Sequence, residues 1–234
     1  MMLPMPPTDL ARNISEVARR IRSAETAAGR RKNSVSLLAV SKTKSPELIR
    51  TAYACGQTAF GENYAQEMVD KAQLLTDLPL LWHFIGPIQS NKTASIAALC
   101  DWAHSVDRLK IARRLSEQRP PNLNPLNVLI QVNISGEHSK SGVRPEEVAD
   151  LAHDIRALPG LSLRGLMAIP APAGPNESPR PAFRALRELK DSLALTIPGL
   201  DTLSMGMSAD LEDAIAEGAN LVRVGTDIFG ARYN

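Results

Sequence analysis

The sequence predicts an α/β protein folded as a closed (β/α)8, or TIM, barrel, and three observations predict it. Short apolar runs recur eight times after residue 35, with helix-like segments between them, as in a parallel sheet. Eight such units in 234 residues match the usual length of an eight-fold barrel. No GxGxxG follows the first run, so the alternative, an open doubly wound sheet, lacks its dinucleotide signature.

A helix precedes the alternation. Within Thr8–Ala28, Leu10, Ile14, Val17 and Ile21 are apolar at helical spacing, with Thr8 as N-cap and Gly29 as stop. The strands then read Ser36–Val40, Thr58–Phe60, Leu80–Ile85, Trp102–Val106, Val128–Val132, Leu161–Ile169, Thr202–Met205 and Leu221–Val224. The helices between them read Pro46–Cys55, Ala65–Leu75, Lys92–Leu99, Arg108–Glu117, Pro145–Leu158, Ala182–Leu195 and Ala209–Glu217. Ser45-Pro46 and Arg144-Pro145 mark two helix starts. Only ten residues follow Val224, too few for a full eighth helix, so the extra N-terminal helix is expected to fill that place in the outer ring. No composition break divides the chain, and 1–234 reads as one domain with residues 1–7 as a flexible, proline-stiffened tail. The single low-complexity stretch, Pro170–Pro181, is either a mobile loop at the barrel mouth or a passive insertion.

Bulk properties exclude several classes. A net charge of +2 is too small for a nucleic-acid footprint, and the run Arg30-Arg31-Lys32 reads as complementing the preceding helix's C-terminal dipole. Cys55 and Cys100 stand far apart and read as buried reduced thiols, without a disulfide or zinc site. No run approaches a membrane span, and the N-terminus lacks a leader pattern. A cytoplasmic protein is expected, without nucleic-acid or membrane partners.

Barrel sites form at the C-terminal ends of the strands. There stand Lys42, Gly61-Glu62-Asn63, His83, Asn133, Met167, and the stretches "LSMGMS" and "LVRVGTDIFG". Ser208 near a helix start, beside Gly225 and Thr226 in the adjacent turn, makes a candidate anion site, where barrels commonly take phosphate. Arg223 interrupts an apolar strand, so it either meets an acceptor in the barrel mouth or forms a structural ion pair. A lysine across from a phosphate site suggests Schiff-base chemistry, and spacing leaves Lys42 and Lys44 both open.

Seven stretches, "AVSKTK", "FGENYAQE", "WHFIGPIQSNK", "VNISGEHSKSG", "GLMAIPAP", "LSMGMSADLEDAI" and "VRVGTDIFGAR", resemble in order the pyridoxal phosphate homeostasis protein family. That family consists of single-domain, fold-type III barrels similar to the N-terminal domain of alanine racemase. The resemblance implies pyridoxal phosphate (PLP) on Lys42 as an internal aldimine. It implies Ser204, Met205, Gly225 and Thr226 at the phosphate, Asn63 beside the cofactor, and Arg223 facing the pyridine nitrogen. His83, Lys140, Met167 and Ser208 form a second tier of candidates. Ser45 intervenes where the family usually has proline, and the stretch "GPIQSNK" departs slightly from the family pattern.

The expected function is intracellular storage and delivery of PLP, without robust catalysis and with no catalytic residue or metal assigned. PLP and related B6 vitamers are the expected ligands, apo PLP-dependent enzymes the recipients, and a monomer the expected state. A PLP-dependent racemase is the alternative, but it needs a second acid–base group. Tyr53, Tyr64 and Tyr233, the three tyrosines, sit at no convincing strand end. A Schiff-base aldolase on a phosphorylated substrate is the second alternative.

Overall fold

The structure, a computed structural model, describes residues 7–137, 141–171 and 177–230. In chain order its elements are α1 (Pro7–Ala27), β1 (Ser36–Val40), α2 (Pro46–Ala54), β2 (Ala59–Glu62), α3 (Ala65–Leu74), β3 (Leu81–Phe84), α4 (Thr93–Leu99), β4 (Trp102–Val106) and α5 (Leu109–Gln118). Then follow β5 (Leu126–Gln131), α6 (Val148–Arg156), β6 (Leu161–Met167), α7 (Arg180–Ala194), β7 (Thr202–Ser204), α8 (Leu211–Ala216), β8 (Leu221–Val224) and α9 (Thr226–Phe229). All strand pairs are parallel, and β8 pairs with β1 through Ser36 opposite Leu221 and Leu38 opposite Arg223, closing the barrel. The expected eight-stranded barrel is therefore present.

α1 occupies the gap in the outer ring. Leu10, Ile14, Val17, Ile21 and Ala24 are buried, and the helix packs against α8, α9 and α2. Asn13 donates to the carbonyl of Ile228, 3.0 Å away, tying this helix to α9. Two local expectations shift. α1 starts at Pro7 rather than being capped by Thr8, because proline's missing N–H is no loss in a first turn. The remaining tail residues, 1–6, lie outside the described residues. Arg30 serves another helix: it donates to the carbonyls of Ile215 and Ala219 at the end of α8.

The apolar core lies mainly between strands and helices, where Ala39, Phe60, Phe84, Ile96, Ile111, Val128, Phe183 and Val222 belong to one buried cluster. Leu38, Leu129, Met167 and Leu221 are also buried but stand outside that cluster. Cys100 is buried and Cys55 only half-buried; both are free thiols. Among the described residues, no group of side chains could hold a metal, and no helix is long and apolar enough to cross a membrane.

Candidate functional site

A cavity of about 270 Å³ opens at the C-terminal ends of β1, β2, β7 and β8. Its wall is built by Lys42, Asn63, Arg223, Gly225, Thr226 and Ser208, with apolar surface from Val40, Ile85, Ile169 and Met207. Lys42 follows β1 by two residues and is half-buried. Lys44 donates to the carbonyl of Phe229 at 3.2 Å and does not line the cavity. Of the two lysines that spacing left open, Lys42 is the one that lines the cavity.

The turn carrying Lys42 is held from below by charge. Lys71, on α3, is buried and donates to the Ser41 carbonyl (2.7 Å), Glu62 Oε1 (2.7 Å) and Glu67 Oε1 (2.6 Å). Ser41 Oγ also donates to Glu62 Oε1, and Glu67 Oε1 takes the Thr43 backbone N–H at 2.5 Å. That last bond secures a non-glycine residue at φ +63, a conformation that costs on the order of 1 kcal/mol. Burial raises the pKa of Glu62, while the Lys71 ammonium opposes that shift.

The β7 end requires glycine. Gly206 has φ +90, and a Cβ there would stand 2.5 Å from that of Ala214. The loop then closes on itself, with Asp210 Oδ1 accepting from the Met207 N–H at 2.6 Å. α8 begins at Leu211 with Asp210 in the N-cap position, so Ser208 faces the cavity and is not the helix cap. Thr226 opens the four-residue α9 where a simple turn was expected. Arg20 of α1 links these loops: it bonds Glu212 through both carboxylate oxygens (2.7 and 2.9 Å), Asp227 (2.5 Å) and the carbonyl of Ser208 (2.8 Å).

Arg223 forms part of the cavity floor and is 4% exposed. Its Nη1 donates to the carbonyl and the hydroxyl of Ser204 (2.6 and 2.7 Å), and Nη2 to the carbonyl of Ala168 (2.9 Å). Among the described residues no carboxylate pairs with it. Burial lowers its pKa to about 10, which leaves it charged at neutrality. Behind Ser204 lie two histidines. His104 Nδ1 is 2.9 Å from Ser204 Oγ, and His104 Nε2 is 2.9 Å from His83 Nδ1. β4 and β7 are not neighbours in the sheet, so this contact crosses the inside of the barrel.

Lys42, Asn63, Arg223, Gly225, Thr226 and Ser208 therefore meet at one cavity, and other candidates stand elsewhere. Ser204 is wholly buried beneath it, its hydroxyl engaged by Arg223 and His104. Met205 points the other way, into the core between strands and helices, because successive strand residues alternate faces. Met167 is fully buried off the cavity wall. His83 lies below the floor, stacked on Trp102 with ring centroids 5.6 Å apart. Lys140 and Tyr233 lie outside the described residues, as do 172–176 of the Pro170–Pro181 stretch. Sequence reasoning missed Arg20, Lys71 and His104. A period-two pattern in "WAHSV" could have flagged His104 as inward-facing; nothing local flags the other two.

Comparison with known proteins places this geometry. The family description "Alanine racemase, N-terminal domain" matches residues 12–233. A pyridoxal phosphate homeostasis protein of Pseudomonas aeruginosa is 60% identical over 223 residues, covering 95% of this chain and 96% of its own. One from Escherichia coli is 50% identical, covering 96% and 97%. PipY of Synechococcus elongatus, solved with PLP bound, superposes with a TM-score of 0.76 at 36% identity, covering 92% of this chain and all of that one. An alanine racemase from Corynebacterium glutamicum, 22% identical, shares the barrel at a TM-score of 0.68, with 98% of this chain and 63% of that one covered. By sequence over nearly its whole length, the chain belongs to the pyridoxal phosphate homeostasis protein family.

Proposed function

We propose that this protein binds PLP and hands it to other proteins without using it in catalysis, as a cytoplasmic monomer. The observation that carries the reading is the pairing of an amine, Lys42, with a buried guanidinium, Arg223, in one small cavity. The residues present fit the group. A buried cation without a carboxylate partner calls for an acceptor, and the pyridine nitrogen is one. Asn63 Oδ1 is buried without a hydrogen-bond partner and faces the same cavity, ready for a ligand donor. Ser208, Gly225 and Thr226 provide the phosphate end, while Ser204 holds Arg223 from beneath and Met205 packs in the core behind β7. Lys42 is the amine that would hold PLP covalently through its aldehyde carbon, with loss of water.

PLP supplies an electron sink for carbanion chemistry, tuned by the group at its ring nitrogen. Arg223 could only donate there and would disfavour a ring proton, which would weaken the sink. Racemisation also needs a proton donor on the opposite face. The described wall residues other than Lys42 include no tyrosine, histidine or carboxylate. Tyr64 is 59% exposed and off that wall. The family assignment counts against the aldolase alternative.

The test is spectroscopic. PLP added to the purified protein should give a visible band, and borohydride should fix the label on Lys42 by peptide mass spectrometry. Lys42→Ala should lose the band and keep the fold; a retained band would move the assignment to Lys44 or Lys140. Lys140→Ala should keep the band and alter exchange with free PLP. Loaded protein mixed with an apo-transaminase should restore its activity, and L-amino acids in D₂O should show negligible α-proton exchange. Rapid exchange with inversion would restore the racemase reading.

A further inference from the structure

We infer that His104 and His83 are positioning residues, fixing Arg223 through a one-way hydrogen-bonded chain that runs from Arg223 to Ser204, His104 and His83. The direction follows from donor chemistry. A guanidinium has donors only, so Ser204 Oγ accepts from Arg223 at 2.7 Å. The hydroxyl's own proton then goes to its other partner, His104 Nδ1, at 2.9 Å. His104 therefore carries its proton on Nε2 and donates it to His83 Nδ1 at 2.9 Å. His83 in turn is protonated on Nε2. The opposite arrangement makes Ser204 Oγ accept twice and leaves its buried proton without an acceptor among the described residues, which is costly.

The surroundings favour the same state. Both imidazoles are buried, and burial pushes His83 down to about 3 and His104 well below its usual value. The charged group facing His104 is Arg223, which repels a second cation. His83 faces the Trp102 ring, with Arg164 5.2 Å from the same ring's centroid. The chain is thus a neutral string of dipoles with one fixed charge at its head, and each bond polarises the next in the same sense. It draws on β3, β4, β7 and β8, while the carbonyls of Ser204 and Ala168 take two more of the five guanidinium protons. Arginine has many rotamers, and these contacts select the one that presents it to the cavity. That Arg223 meets a pyridine nitrogen there rests on the proposed function; the direction of the chain does not.

Imidazole ¹⁵N–¹H correlation spectra of the ligand-free protein test the chain directly. Both histidines should appear as neutral Nε2–H tautomers at pH 7 and stay so to pH 5. A proton on His104 Nδ1, or a charged imidazole at pH 5, would overturn the inference. Ser204→Ala and Arg223→Met each remove the element that sets the direction, and His104 should become a tautomer mixture in either. A pure Nε2–H signal surviving in both would also overturn it. For PLP, His104→Leu should weaken binding about tenfold. His104→Gln, which can still accept and donate, should restore most of it; equal affinities for the two variants would sink the positioning role. Failure of the wild type to bind PLP would overturn the reading of the cavity, and the imidazole spectra would still decide the chain.

Discussion

At the scale of single residues, the group most exposed to test is Lys71. Its ammonium is 5% exposed and its partner Glu62 is fully buried. Breaking a buried pair from one side leaves an uncompensated charge, which costs about 3 kcal/mol. Lys71→Met should lose roughly that much stability in urea unfolding, and adding Glu62→Gln should recover part of it. A single-variant loss below about 0.5 kcal/mol would contradict the burial of the pair. Lys42 was legible in the sequence because an apolar run ends on it. Lys71 was not, since in "EMVDKAQ" it reads as the solvated side of a helix. Only the docking of α3 under Ser41 reveals its role. The resemblance implies Ser204 and Met205 together at the phosphate, and because adjacent strand residues face opposite ways their side chains occupy different faces of β7 and its extension.

At the scale of elements, α1 links the outer ring to the site. Arg20 is 24% exposed and joins the loops that follow β7 and β8. Partial exposure discounts its ion pairs, so Arg20→Ala should cost only about 1 kcal/mol of stability. Its larger effect should be on the loops: PLP affinity measured by band titration should drop several-fold, and Arg20→Lys should not restore it, because an ammonium cannot reproduce the bidentate fork. Unchanged affinity would make Arg20 a plain surface contact. The spacing of the sequence showed α1's apolar stripe, which packs against α8 and α9. It placed the start of α8 two residues early, because the turn formed by Met207 and Asp210 is built by a side chain accepting from the backbone, a bond that periodicity does not register.

At the scale of the whole molecule, stability should decline towards acid in two stages. His83 sits near 3 in the fold against about 6.5 when unfolded, so the unfolded chain binds more protons in between. That contribution is complete above about pH 6.5 and is lost as pH falls towards 3; His104 acts in the same sense. Glu217 takes Arg184, Arg180 and Arg187 and is held near 2, chiefly by its hydrogen bonds to Arg184. Its contribution is lost from about pH 4.3 downward. The urea midpoint should therefore start to fall just below pH 6.5 and fall again below about 4.5. A midpoint constant from pH 7 to 4 would contradict the neutral burial of the histidines.

The seating of α1 also has a consequence for biosynthesis. Its apolar stripe, from Leu10 to Ala24, meets α8 and α9, and Asn13 finds its acceptor 215 positions later at Ile228. A ribosome makes this helix long before its berth. At roughly 5–20 residues per second, the stripe stays uncovered for on the order of ten seconds or more. During that interval its apolar side chains lack the surface that buries them, and final closure of the ring must wait until synthesis has passed Ile228.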